Sequence, residues 1–181
     1  MQTRSQMPAR MRRICAPLLF MAFDYLAILL AEKMAFGLHE LYGMFVGRTF
    51  HVPVSYLVFW IPLVFIAFLW GMQTYGKMQP ILETVRKIFY AVLYSMIACI
   101  LALYFMQAGL LASRLYVILF GCLALLNIYA ARYILLKALK TTHTLTKPVI
   151  LIGAGKTAEQ VLGFFDGDLG YRYEVIGILD D

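Results

Sequence analysis

Residues 49–76 contain no Asp, Glu, Lys or Arg. An uncharged stretch of that length, rich in aliphatic and aromatic side chains, has few homes in water. Its part 52–72 is about as long as a helix that crosses a bilayer. Pro53 suits a helix start, and Pro62 in the middle of the run predicts a kink that neighbouring helices can accommodate. Three further runs resemble it. Residues 14–36 follow a basic start (Arg4, Arg10, Arg12, Arg13), residues 88–107 form another, and residues 115–136 are reached through Ala108-Gly109. The first run is longer than a signal-peptide core, lacks a small-x-small cleavage site and is followed by more spans, so it reads as a retained helix. Four spans with short connections predict an α-helical bundle of antiparallel neighbours.

Composition agrees, with 62% hydrophobic and 14% charged residues, well away from an ordinary soluble domain. The charge is divided. Residues 1–147 carry fourteen Lys and Arg against four acids (Asp24, Glu32, Glu40, Glu83), and residues 148–181 carry two bases (Lys156, Arg172) against six acids. The net charge of +6 is therefore +10 in the first part and −4 in the second. The bases flank apolar runs and form no patch, so no nucleic-acid partner is expected. Eleven of the fourteen fall at the N-terminus, between spans two and three (Lys77, Arg86, Lys87) and from span four onward (Arg132, Lys137, Lys140, Lys147). Lys33, Arg48 and Arg114 are left for the other side. The positive-inside rule then places both termini in the cytoplasm. Cys15, Cys99 and Cys122 lie in apolar runs and read as small buried hydrophobes. His39, His51 and His143 lack ligand spacing, so no metal site is expected.

The second part begins at Pro148. Residues 149–152 are a short β-branched run, Gly153-Ala154-Gly155 follows, and Ala158, Val161, Leu162 and Phe165 then recur at helical spacing. Residues 173–179 form a second strand candidate. This is strand, glycine turn, helix, strand: the first βαβ of an α/β Rossmann-like domain, ending before the fold is complete. Gly153, Gly155 and Ala158 match the G-x-G-x-x-G/A fingerprint. Glycines there let the backbone turn tightly and approach a pyrophosphate at a helix N-terminus. Candidate cofactor contacts are Gly153, Gly155, Lys156 and Thr157, with Asp180 at the end of the second strand, where a ribose hydroxyl would be met. The cofactor would be a nucleotide or NAD(P). The alternative is that the glycines only pack helix on strand. A P-loop is excluded, since it needs a glycine where Ile150 stands. The expected organisation is a basic N-terminus (1–13), a transmembrane anchor (14–136), a linker (137–147) and the incomplete βαβ unit (148–181).

Asp24 lies roughly 15 Å into span one at the helical rise, where charge is expensive. Either it belongs to a proton or substrate path, or it fixes helix packing through a partner such as Asn127 or Arg132. No Ser/His/Asp set, acid–base carboxylate pair or selectivity-filter sequence is present, and no catalytic residue is assigned.

The order of these pieces resembles the N-terminal half of the bacterial polyprenyl-phosphate hexose-1-phosphate transferases, which initiate exopolysaccharide and O-antigen synthesis. The matching stretches are Asp24-Tyr25-Leu26-Ala27; Tyr75-Gly76 with Glu83 and Arg86; Ser113-Arg114; Pro148 through Thr157; Leu169-Gly170-Tyr171-Arg172; and Gly177 through Asp181. The membrane-bound nucleotide-sugar 4,6-dehydratases share a similar anchor and first α/β domain. The resemblance implies the bacterial cytoplasmic membrane, with the lipid bilayer as a partner and a homo-oligomer left open. UDP-sugar and undecaprenyl phosphate would be partners of the longer protein. In the transferase family a further domain supplies the attacking carboxylate and Mg²⁺, and none of its catalytic positions occurs in these residues. Lys156-Thr157 and the tyrosine-rich turn favour the transferase. A non-catalytic, nucleotide-sensing membrane module is the reading of a different class.

Overall fold

The structure is a computed structural model, and it describes residues 9–46, 59–75, 78–105, 114–142, 146–153, 155–171 and 173–179. Four helices come first: α1 (Ala9–Val46), α2 (Ile61–Gly71), α3 (Ile81–Phe105) and α4 (Arg114–Thr141). A strand, β1 (Lys147–Ile152), then leads through α5 (Lys156–Gly167) to β2 (Tyr173–Leu179). The positions expected for Arg48, Pro53, Gly76, Lys77, Ser113 and Asp180 lie outside the described residues.

Three helices, α1, α3 and α4, are long and apolar enough to cross a membrane. The chain is mostly helical and carries the features of a multi-pass membrane protein. α1 has 38 residues, about 57 Å at the helical rise, far more than a hydrocarbon core of about 30 Å requires. It runs on past residue 36, where Gly37 and Gly43 weaken the helix but no proline stands to end it. Only eleven residues of α2 are described, and residues 52–58 of the expected second span are not among them. Pro62 does not interrupt α2. It sits at the helix start after a single π turn at residues 59–60, a place where its missing N–H leaves no ladder bond unmade. Lys137, Lys140 and Thr141, expected in a linker, instead extend α4.

The helices pack in a ring, α1 on α4, α4 on α3, α3 on α2 and α2 on α1. Ladders of i+4 spacing build the α1–α4 seam. On α1, Phe20, Asp24, Ile28 and Glu32 are buried beside Ala27, Ala31 and Ala35. On α4 the buried row is Tyr116, Phe120, Ala124, Ile128, Arg132 and Leu136. Three alanines on one face bring the helix backbones close, as small residues do between membrane helices. Contacts from Asp24 to Arg132 and from His39 to Tyr116 make the two helices antiparallel. The bundle therefore has a basic end, where α4 finishes and α3 begins, and a far end, where α1 and α3 finish and α4 begins.

β1 and β2 pair in parallel, with Lys147 opposite Tyr173 and Ile152 opposite Leu179. Between Val149 and Ile150 the register slips, so that Ile150 faces Gly177. Val149, Leu151 and Val175 are half-buried, while Ile150, Ile152, Ile176 and Ile178 are exposed on alternate positions. Ala158, Val161, Leu162 and Phe165 of α5 are half-buried, the amphipathic stripe that the spacing predicts. What is present is a two-stranded parallel sheet with one connecting helix.

Candidate functional site

At the basic end, Arg132 is 4% exposed and Asp24 fully buried. The Arg132 Nε donates to Asp24 Oδ1 at 3.0 Å and Nη2 to Oδ2 at 2.6 Å, a two-point pairing. Nη1 donates to the Thr74 carbonyl and Nη2 also to Thr74 Oγ1, both at 3.2 Å. The guanidinium lies over the rings of Phe20 and Tyr75, with Cζ 4.7 Å from each centroid. A buried carboxylate is tolerable in such a place only with a partner of opposite charge and further hydrogen bonds, and the planar fork of arginine matches it. Of the two partners expected for Asp24, Arg132 is the one that pairs. Asn127 reaches the Ala27 carbonyl at 3.5 Å instead.

Thr74 is aimed at Arg132 by the end of α2. Thr74 N–H bonds the Leu69 carbonyl at 3.3 Å and Gln73 N–H bonds that of Trp70 at 2.8 Å, the two bonds of a Schellman motif. Its left-handed position is Gln73, with φ +56°, where glycine is usual. The network therefore ties α1, α4 and the turn after α2 into one unit.

The same connection holds the βαβ unit from its other side. α3 begins at Pro80-Ile81 without a Ser, Thr, Asp or Asn cap of its own. Asp168 supplies one from the turn after α5, accepting from Ile81 N–H at 3.1 and 3.2 Å. A carboxylate at a helix N-terminus answers free N–H groups and the positive end of the dipole together. Asp168 Oδ1 also accepts from Gly170 N–H at 2.7 Å. Gly170 is pressed against the bundle, and a Cβ there would overlap the Gln79 carbonyl. Lys140, at the end of α4, donates to the carbonyls of Phe165 and Asp168 at 3.1 and 3.0 Å, a cation on the C-terminal end of α5. Phe165, Tyr171 and Tyr173 cluster beside it, with centroids 4.8 to 5.8 Å apart.

The glycine turn lies at the opposite end of α5. Gly153 has φ +91°, a conformation that L side chains rarely adopt, and its N–H bonds the Leu179 carbonyl. Gly155 is extended, at φ −72° and ψ 179°, and is the residue before α5, with no side chain capping the helix. A Cβ on Gly153 or Gly155 would meet nothing within 4 Å. Among the described residues, packing therefore does not explain the second glycine. Thr157 is exposed in the first turn, and Lys156 contributes the first helical backbone position. Gly153, Gly155, Lys156 and Thr157 are thus brought to one helix start beside the end of β2.

One buried group carried no weight in the sequence reading. Glu32 is 4% exposed, and its Oε1 is enclosed without a hydrogen-bond partner. Its signal was available, because Asp24, Ile28 and Glu32 form an i+4 row on the face that also carries Ala27, Ala31 and Ala35. Among the described residues no group of three His, Cys, Asp or Glu side chains is arranged to hold a metal ion. Comparison with known proteins adds no relative: no family model matches the chain, and no curated protein matches it.

Proposed function

We propose that this chain is the membrane-anchor and partial Rossmann-like region of a sugar transferase. That enzyme would move hexose-1-phosphate from a UDP-sugar to undecaprenyl phosphate in the bacterial cytoplasmic membrane. The basic end would face the cytoplasm. The observation that carries this reading is the docking of the β1–α5–β2 unit on the bundle through Asp168, Gly170 and Lys140. It supports a nucleotide-type unit held at the membrane surface, where a water-soluble sugar nucleotide must meet a lipid phosphate. The open space over Gly153 and Gly155 supports room for a phosphate-bearing ligand at the start of α5. The uncovered isoleucines of the sheet support a larger α/β layer, because parallel strands are ordinarily covered on both faces. The chemistry itself needs acids that hold Mg²⁺ around a phosphoryl centre. That role is assigned to the catalytic domain of the transferase, outside these residues. The second reading, a nucleotide-sensing module without catalysis, draws on the lack of any assigned catalytic residue here.

The test uses membranes from cells expressing the gene in its native reading frame, given labelled UDP-hexose and undecaprenyl phosphate. A transferase releases UMP and leaves the sugar on a lipid diphosphate extractable into organic solvent. Removing residues 1–181 should abolish that product. Loss of water from the UDP-hexose, giving a 4-keto sugar, would transfer the assignment to the dehydratases. Nucleotide binding without either product would leave the module.

A further inference from the structure

The far half of the bundle contains a second buried acid, in surroundings chemically unlike the Asp24–Arg132 network. It is Glu32 on α1, 4% exposed. On the neighbouring helices, α3 carries the half-buried Cys99 and α4 the buried Tyr116. His39, 9% exposed and two turns further along α1, meets the Tyr116 ring edge-on at 6.3 Å. The described part of α2 has no titratable side chain. Among the described residues no Lys or Arg forms an ion pair with Glu32; the ion pairs there are Asp24–Arg132 and the surface pair Glu83–Lys87.

A carboxylate in that position would be an unpaired charge inside a membrane bundle, which costs several kcal/mol. A carboxylic acid would not. It also has an O–H with which to donate, while the carboxylate only accepts. We propose that Glu32, buried on α1 with Oε1 enclosed and unpartnered, is a proton-binding site in the far half of the bundle, and that its resident ligand is a proton.

The site stops there. Asp24 lies eight residues away on α1, about 12 Å along the axis, with Ala27, Ile28 and Ala31 buried between them. Asp24 already has both oxygens occupied by Arg132. Among the described residues Glu32 therefore has no relay to Asp24 along α1. This conclusion stands independently of the sugar-transferase reading, and it predicts chemical selectivity between two acids on one helix. A lipophilic carbodiimide takes its proton from a carboxylic acid. The carboxyl oxygen then bonds to the diimide carbon, and rearrangement leaves a stable N-acylurea with no group lost. Glu32 can begin that reaction and the paired Asp24 carboxylate cannot.

The experiment is infrared spectroscopy of the whole chain in lipid vesicles at neutral pH, with and without ¹³C-labelled glutamate. The expected result is a protonated-carboxyl C=O band that moves on glutamate labelling, shifts in ²H₂O and is missing from Glu32→Gln. Dicyclohexylcarbodiimide should add one reagent mass to Glu32 and none to Asp24. The isotope arm needs no variant, so the test survives if Glu32→Gln fails to fold. A spectrum with only carboxylate bands from glutamate, or an acid band that labelling leaves in place, overturns the proposal. So does carbodiimide on Asp24 in preference to Glu32.

Discussion

Two acids on α1, two turns apart and on the same buried face, are treated in opposite ways. Asp24 at the basic end meets a guanidinium that uses three nitrogens on Asp24 and Thr74 and stacks on two rings. Glu32 in the far half is also buried, and its Oε1 has no hydrogen-bond partner. The difference shows that burial alone does not define a functional acid. A fully satisfied ion pair locks helices in register, because both members lose if either leaves. An acid without a counter-charge contributes little to that lock, and its presence needs another explanation. The asymmetry continues outside the bundle, since the connection that grips Arg132 through Thr74 also receives the βαβ unit through Gln79 and Ile81.

The largest expected effect tests the contrast directly. Arg132→Leu leaves Asp24 buried without its cation, and about 3–5 kcal/mol of bundle stability should be lost. Asp24→Asn is damaging by the same logic, because the amide keeps a hydrogen bond but strands the Arg132 charge. An acid that merely accepted hydrogen bonds would have tolerated that change. The double replacement Asp24→Leu/Arg132→Leu should recover most of the loss. Glu32→Leu, by contrast, should be neutral or stabilising by about 1 kcal/mol, since it removes an unsatisfied buried group. Unfolding in mixed detergent and SDS, followed by helical circular dichroism, ranks the four variants. Equal losses for Arg132→Leu and Glu32→Leu would erase the distinction between the two ends.

The next effect concerns whether the basic end truly includes the βαβ unit. Gly170→Ala puts a methyl group into the Gln79 carbonyl, an overlap that should cost about 1–3 kcal/mol. The loss should fall on docking, not on the bundle. Hydrogen exchange should quicken in residues 78–84 and 165–171, where Ile81 N–H loses the Asp168 carboxylate, while Ala124 through Ile128 stays protected. Unchanged exchange at Ile81 would mean that the two parts are not held by this contact.

Much of the bundle was legible beforehand, and the reason is physical. Uncharged runs of bilayer length leave few alternatives: α4 encloses the expected 115–136, and α3 covers residues 88–105 of the expected 88–107. The strand at 173–179 and the half-buried stripe of α5 follow from short-range periodicity. The docking contact has no local signal, because the cap of α3 arrives from Asp168, 87 residues away. In hindsight, the missing cap residue before Ile81 was the only hint. Arg132 was one of two partners considered for Asp24, and its place in the i+4 row from Tyr116 to Leu136 distinguishes it from Asn127. Glu32 has Lys33 beside it in the sequence, and two adjacent charges give its position no apolar signature. Lys33 is exposed, however, and Glu32 is buried, since adjacent helical residues point about 100° apart.

The smallest effect sharpens the comparison at the turn that aims Thr74. Gln73 holds a left-handed backbone at φ +56°, which costs an L residue roughly 1–2 kcal/mol. Glycine adopts it without that cost, but loses more freedom on folding, roughly 0.5–1 kcal/mol. The balance leaves Gln73→Gly about 0.5 kcal/mol more stable, provided the Schellman bonds from Gln73 and Thr74 persist. Because Thr74 carries two of the hydrogen bonds to Arg132, the gain should depend on that network. It should appear in the wild-type background and shrink in Arg132→Leu, where the turn no longer has a guanidinium to meet. Paired detergent-unfolding midpoints measure the dependence. Identical gains in both backgrounds would show that the turn folds for α2 alone. A loss in the wild type would show that the Gln73 side chain supplies contacts worth more than its backbone strain.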